Sequence, residues 1–206
     1  MPVRSSEPCR WPPSNSTTGL SPGFGDGLPE RGVSCIDSFV IAYEERSTKY
    51  HPVYRLASTI HERELKRPEY KYDVVPDAFL DFRMSLDGGK QRRMCILLEH
   101  DCASEHINAF KPRIRAYVRM LKTEAHKDLY GAGIVTIAFT TIKGEAHIEK
   151  LVRWTREELT EERCLQSLVH FFYFTNLTPP LDPKVLWLEP VWKTIYTDEP
   201  CSLLAG

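Results

Sequence analysis

The chain has 206 residues, of which 42% are hydrophobic and 27% charged, and its 27 basic and 28 acidic residues leave a net charge of −1. This length and composition predict one globular domain of ordinary size and leave no room for a second large one. A charge so close to zero argues against a uniformly basic nucleic-acid binder of the histone kind.

The beginning of the chain has no apolar stretch of the kind that a secretory signal needs, and no run of 18 apolar residues occurs anywhere. We therefore expect a cytoplasmic protein that does not associate with membranes. Six cysteines are present without CxxC spacing, and most of them lie in apolar runs. This pattern predicts reduced thiols in the core rather than disulfides or a zinc site.

Three regions follow one another along the chain. Residues 1–31 contain six of the fifteen prolines with four glycines and five serines, which predicts a disordered tail. Residues 32–178 carry the periodic apolar patterns of a folded domain. Residues 179–206 contain Trp187 and Trp192 among other apolar residues, and we expect them to pack as an irregular cap across the edge of the sheet.

Within the domain, apolar residues at helical spacing or in strict alternation predict the elements. In chain order, these are helices over 35–46 and 56–66, strands over 78–86 and 93–101, a helix from Pro112 to about Lys127, a strand over 134–141, a helix over 145–162 and a strand over 168–176. The two strands separated by Gly88-Gly89 should form a hairpin. Strands that alternate with helices after this hairpin predict an α/β sandwich with a mixed central sheet.

The pairing of the hairpin decides which polar side chains meet. The register that builds one clean apolar face pairs Leu80 with Leu98, Phe82 with Ile96, and Met84 with Met94. That register places Asp77 opposite Asp101 and Phe79 opposite Glu99, so all three carboxylates share the other face. A two-residue turn would instead pair Asp77 with His100, and we therefore predict a loop of about three to five residues.

Asp77, Glu99 and Asp101 are thus expected at one end of the sheet, near basic residues at the head of the following helix. The three carboxylates could bind a divalent metal such as Mg²⁺ through their oxygens. The metal and the nearby cation could then polarise a phosphodiester and an attacking water. Solvated carboxylates are also common at strand ends, and this simpler interpretation stays open.

The stretches VVPDAFLDF and CILLEHD, a helix with Arg113 four residues before Tyr117, and KVLWLEPVW near the end occur in this order. Together they resemble the bacterial replication-relaxation family over roughly residues 35–195. That family is grouped with the PD-(D/E)xK restriction-endonuclease-like fold and is associated with replication and relaxation of plasmid DNA. Members commonly carry a winged-helix DNA-binding segment ahead of this domain, and we expect residues 1–31 not to form one, because they are too few.

The resemblance implies a restriction-endonuclease-like domain with Asp77, Glu99 and Asp101 as metal ligands and a helix cation, Lys111 or Arg113, at the developing phosphate charge. The family's helix lysine corresponds to Arg113, which stays charged and cannot act as a base. Lys111 lies about 160° around the helix from Arg113, so only one of the two can face the carboxylates.

A basic face of the same helix is the predicted DNA contact. Segment 111–127 carries six basic residues and one acidic residue. Four of these cations fall within about 80° of each other on the helical wheel: Lys111, Arg115, Arg119 and Lys122. We expect this face either to follow DNA phosphates or to be an ordinary solvated helix surface.

Three functional hypotheses remain at this point. The first is a metal-dependent DNA endonuclease or nickase of plasmid or mobile-element replication. The second is a catalytically inactive nuclease-fold scaffold, or a DNA-binding accessory, that works with other replication or mobilisation proteins. The third is a module that binds only proteins.

Overall fold

The computed structural model describes residues 54–85, 90–101, 106–176 and 183–204. The expected disordered tail over 1–31, the helix over 35–46 and the Gly88-Gly89 turn lie outside the described residues.

The described residues form a mixed α/β structure around a six-stranded sheet, which confirms the predicted α/β class. The strands follow the chain order across the sheet, and all neighbours are antiparallel except β3–β4 and β4–β5. The strands are β1 (Tyr54–His61), β2 (Ala78–Ser85), β3 (Gln91–Asp101), β4 (Val135–Thr141), β5 (Phe172–Thr175) and β6 (Lys193–Thr194). The α-helices are α1 (Glu62–Leu65), α2 (Ile107–Lys122), α3 (Ala125–Tyr130), α4 (Glu145–Glu161), α5 (Leu165–Leu168) and α6 (Pro183–Leu188).

The helix predicted over 56–66 is wrong, because most of this segment is strand β1. β1 pairs with β2 along its whole length, with one irregularity between Leu56 and Ser58. Leu56 and Ile60 fit a helical spacing and a strand spacing equally well, so the local pattern could not distinguish a helix from a strand. Pairing with β2 decided in favour of the strand.

The hairpin of β2 and β3 forms as predicted, with five residues, 86–90, between the paired ends. Its register differs by two residues: Ala78, not Leu80, pairs with Leu98. The predicted pairs Phe82–Ile96 and Met84–Met94 are therefore also wrong. Because a shift of two keeps every side chain on its own face, the predicted division into an apolar face and a carboxylate face survives.

Helix α2 begins at Ile107, well before Pro112, which therefore lies inside the helix and not in its first turn. It also ends earlier than predicted, at Lys122. Glu124, in the left-handed conformation with φ 56°, separates it from α3, and Gly131 with φ 57° ends α3. A tight left-handed break thus divides the predicted single helix into two.

The two faces of the sheet are covered by different parts of the chain. Helices α2 and α4 cover one face, where Phe139 of β4 packs against Phe110 at 5.3 Å and Phe174 at 5.4 Å between ring centroids. The other face carries Leu80, Phe82 and Ile96 and is covered by the C-terminal segment.

The C-terminal segment is more regular than the predicted irregular edge cap. Helix α6 places Trp187 on the second face of the sheet, at 5.3 Å from Phe82, and β6 extends the sheet beside β5. Trp187 and Trp192 are 1% and 0% exposed, so they are core residues. The strand predicted over 168–176 is shorter than expected, because residues 165–171 are helical.

No helix in the described part of the chain is both long enough and apolar enough to cross a membrane. Cys95, Cys164 and Cys201 are free thiols, in agreement with the predicted reduced state at these three positions.

Candidate functional site

The three predicted carboxylates lie at one end of the sheet. β2 and β3 are antiparallel, so the start of β2, where Asp77 precedes Ala78, meets the end of β3. Continuing the observed register by one step places residue 77 opposite Glu99 rather than opposite Asp101. Glu99 and Asp101 are only 2% and 5% exposed, so both carboxylates are largely withdrawn from solvent.

Glu99 is held from two sides by helix α2. The Tyr117 hydroxyl donates to Oε1, and Nη1 of Arg113 donates to Oε2 at 3.1 Å. Burial, with the nearby negative charge of Glu99 adding to it, holds the pKa of Tyr117 well above its usual value of 10, so this residue remains a protonated donor. Both carboxylate oxygens of Glu99 are therefore engaged within the protein.

Asp101 contacts helix α4. Its Oδ2 lies 2.5 Å from Nε2 of His147, which is 8% exposed. The backbone carbonyl of Asp101 accepts a hydrogen bond of 3.1 Å from Thr141 at the end of the neighbouring strand β4. His147 was not among the site residues predicted from the sequence. Its position in the first turn of the helix after a parallel strand was the available signal, because that turn lies at the same sheet end as Asp101.

Asp77 accepts a hydrogen bond of 2.6 Å on Oδ2 from the backbone N–H of His100. Burial raises the pKa of Asp77 above its usual 3.8, and the hydrogen bond from His100 opposes this effect without cancelling it. The His100 ring bonds Thr140 at 2.7 Å through Nδ1, and burial lowers its pKa below 6.5. A neutral imidazole therefore lies beside this carboxylate near neutral pH.

The two candidate helix cations separate as the helical geometry requires. Arg113 reaches Glu99, whereas Nζ of Lys111 lies 3.1 Å from carboxylate oxygens of both Glu157 and Glu158 on α4. Hydrogen bonds to Glu158 and Glu157 raise the pKa of Lys111 above 10.5, so it stays charged. Lys111 thus belongs to the contact between α2 and α4.

The predicted DNA-binding cations are also paired with acidic side chains. Ion pairs join Arg115 to Glu158 at 2.7 Å, Lys122 to Glu162 at 3.0 Å and Arg119 to Asp73 at 2.8 Å. The first two acids belong to the acidic end of α4 and the residue that follows it. Most of the basic face of α2 therefore packs beside acids of the same protein, which reduces its net charge.

Mg²⁺ binding needs several oxygen ligands that can converge on one ion. Here the carboxylate oxygens of Glu99 bind Tyr117 and Arg113, and Asp101 binds His147. Across the described ranges, no three residues among His, Cys, Asp and Glu are grouped so that they could hold a metal ion.

Two cavities open beside the buried carboxylates. One, of about 630 Å³, is lined by Asp73, Arg113 and Arg119, so Arg113 lies between this cavity and Glu99. The other, of about 340 Å³, is lined by His147 and Lys150 among others, so His147 lies between it and Asp101. A basic side chain thus separates each of these carboxylates from its cavity.

Comparison with protein-family models gives no match for this chain, and no curated protein sequence matches it significantly.

Proposed function

We propose that this chain is a catalytically inactive, nuclease-fold accessory protein that binds DNA in plasmid or mobile-element replication. The observation that carries the proposal is the state of Glu99, whose two carboxylate oxygens are bound by Arg113 and Tyr117 inside the protein. A buried carboxylate needs such partners, because losing them would leave an uncompensated buried charge, and oxygens bound in this way are not presented to an ion.

The chemistry of the neighbouring residues supports the same conclusion. Arginine is permanently charged and acts as a fixed fork, so Arg113 cannot remove a proton from water. At the end of β3, the position two residues after Glu99 holds Asp101, which binds His147 and offers no ammonium group. Lys111, the other candidate helix cation, is paired with Glu157 and Glu158 and not with Glu99, and no metal-binding group of His, Cys, Asp and Glu occurs among the described residues.

The topology supports the nuclease-like part of the proposal. An antiparallel hairpin leads into two parallel strands through helices, and all three carboxylates lie at one end of that sheet. This is the arrangement that the resemblance to replication-relaxation proteins implies for the PD-(D/E)xK fold. We infer that the fold has been retained while the carboxylates have become structural.

The deciding experiment measures metal binding, DNA binding and DNA cleavage on the same protein preparation. Calorimetry with Mg²⁺ and with Mn²⁺ should give no binding heat, and supercoiled plasmid should remain intact with either ion. A labelled duplex should bind in a salt-sensitive way. Plasmid nicking that disappears in both Asp77→Ala and Glu99→Ala, while circular dichroism shows that both variants are folded, would overturn the proposal and establish a nuclease.

A metal-dependent nickase is the second candidate, because Asp77, Glu99 and Asp101 do meet at one sheet end beside Arg113. For these carboxylates to bind Mg²⁺, Arg113 and His147 would first have to move away from them. If the wild-type protein fails to shift DNA even at low salt, both DNA-binding candidates fail and a purely protein-binding module is the remaining hypothesis.

A further inference from the structure

We propose that a groove between the starts of α2 and α4 binds phosphate groups of the DNA backbone. This basic groove, defined by Lys143, Lys150 and Arg153 with His106, has a volume of about 340 Å³. The inference rests on the proposed DNA-binding function and names the surface that would carry it. The surface differs from the basic face of α2 that the sequence predicted.

The three lysine and arginine side chains of the basic groove lie on α4 or just before it. Lys143 precedes α4, and Lys150 and Arg153 follow within its first three turns. Among the described residues that line the groove, none is acidic. Three cations therefore face one cavity, and its electrostatic potential attracts anions.

These cations differ from those of α2 in their partners. Lys143 and Lys150 are exposed, and neither side chain forms an ion pair within the described parts of the chain. Arg153 is 62% exposed and lies 3.8 Å from Glu157, a separation and exposure at which an ion pair contributes little. The charges of the groove are thus available to a ligand, whereas Lys111 and Arg115 are already paired with Glu158.

The walls of the basic groove suit a phosphate carried on a larger molecule. Trp154 is partly exposed in the groove and packs against Phe110, with 6.0 Å between ring centroids. Ile107, 38% exposed, forms part of the opposite wall. Cations beside apolar surface match a phosphate attached to sugar and base better than a small free anion, and lysine and arginine are the usual partners of DNA phosphates.

The basic groove also explains why binding need not involve the buried carboxylates. His147 lines the groove and holds Asp101 behind it. A phosphate in the groove would therefore meet cations at the surface, with the imidazole of His147 between it and the carboxylate. DNA could bind at this end of the sheet without displacing Arg113 from Glu99.

The test compares K143E/K150E with K71E/K90E, a control that makes the same charge change at exposed lysines outside the groove. We expect K143E/K150E to bind a labelled DNA duplex at least about tenfold more weakly than the control does at low salt, and its log–log salt slope to be lower by about 2. Fluorescence anisotropy over a salt series measures both quantities. Circular dichroism verifies folding, and K143A/K150A, which introduces no negative charge, should show a smaller loss in the same direction.

Three other outcomes would contradict the groove, the proposed function or the DNA assignment. Equal losses in K143E/K150E and K71E/K90E would overturn the basic groove as the binding site while leaving DNA binding by the protein intact. Absence of DNA binding by the wild type would overturn the proposed function and the groove together. Calorimetry with inorganic phosphate forms the second arm: tight binding of phosphate without binding of DNA would show a small-anion site and contradict the DNA assignment.

Discussion

The carboxylate end of the sheet and the basic groove are neighbours with opposite electrostatic arrangements. Glu99 and Asp101 are buried and held by basic or hydroxyl side chains, whereas Lys143 and Lys150 are exposed and lack ion pairs among the described residues. Burying a charge is costly unless it is compensated, so the first region had to acquire internal partners. Cations in water carry no such cost and can remain available. We therefore expect substitutions of the carboxylates to change mainly the stability of the protein, and substitutions of the groove lysines to change mainly its binding of DNA.

The largest expected change in stability follows from substitution of the buried carboxylate of Glu99. Glu99→Ala removes the acceptor that the buried Tyr117 hydroxyl shares with Arg113 and leaves a cavity, and we expect it to lower the free energy of unfolding by about 2–4 kcal/mol. Urea denaturation at neutral pH measures this loss. Glu99→Gln retains an acceptor and similar volume and should lose less. A Glu99→Ala protein as stable as the wild type would show that this carboxylate is kept for a ligand and not for the fold.

A smaller effect, visible as a pH dependence, is expected at Asp77. Because the folded state raises the pKa of this carboxyl above 3.8, the folded protein binds a proton more readily than the unfolded chain. The contribution of Asp77 to the free energy of unfolding is therefore largest at low pH and declines as the pH rises through the raised pKa.

Asp77→Asn removes that titration and keeps an oxygen that can accept from the His100 N–H. The stability of the variant relative to the wild type should consequently increase from acidic toward neutral pH. Urea denaturation of both proteins across this range tests the sign. A relative stability that falls as the pH rises would mean that the folded protein favours the ionised Asp77, contrary to its burial.

The smallest effect on stability is expected in the basic groove. Lys143→Ala and Lys150→Ala each remove an exposed side chain without an ion pair in the described structure, and each should change the free energy of unfolding by no more than about 0.5 kcal/mol. Lys111→Ala is the informative counterpart, because it removes a partner of the 1%-exposed Glu158 and should cost more. If Lys111→Ala and Lys150→Ala lowered the free energy of unfolding by the same amount, the proposed difference between paired and available cations would be wrong.

Much of the fold could be predicted from local pattern. The strands of the hairpin, β4 and helix α4 were found within a few residues of their observed ends, because alternation and helical spacing report directly on which side is buried. The predictions failed where one pattern fits two structures, as in β1. They also failed at the start of α2, where Pro112 suggested a helix beginning but lies inside the helix.

The candidate site, too, was predicted in part from local pattern. Alternation alone put Asp77, Glu99 and Asp101 on one face, and the antiparallel hairpin put them at one end, although the register was wrong by two residues. Helical geometry alone required that Arg113 and Lys111 point to different sides, and they do. No local pattern, however, connects Asp101 with His147, because 46 residues separate them in the chain.

The sequence by itself determined an α/β fold, the face of each residue in the hairpin, and a strongly basic segment, 111–127, in a chain of net charge −1. Only the tertiary structure decided where that charge acts. It placed Lys111 and Arg115 against Glu158, and it left Lys143 and Lys150 beside an open cavity. The reason is physical: periodicity along the chain fixes the direction of a side chain, but electrostatic pairing depends on distances in space that packing alone sets.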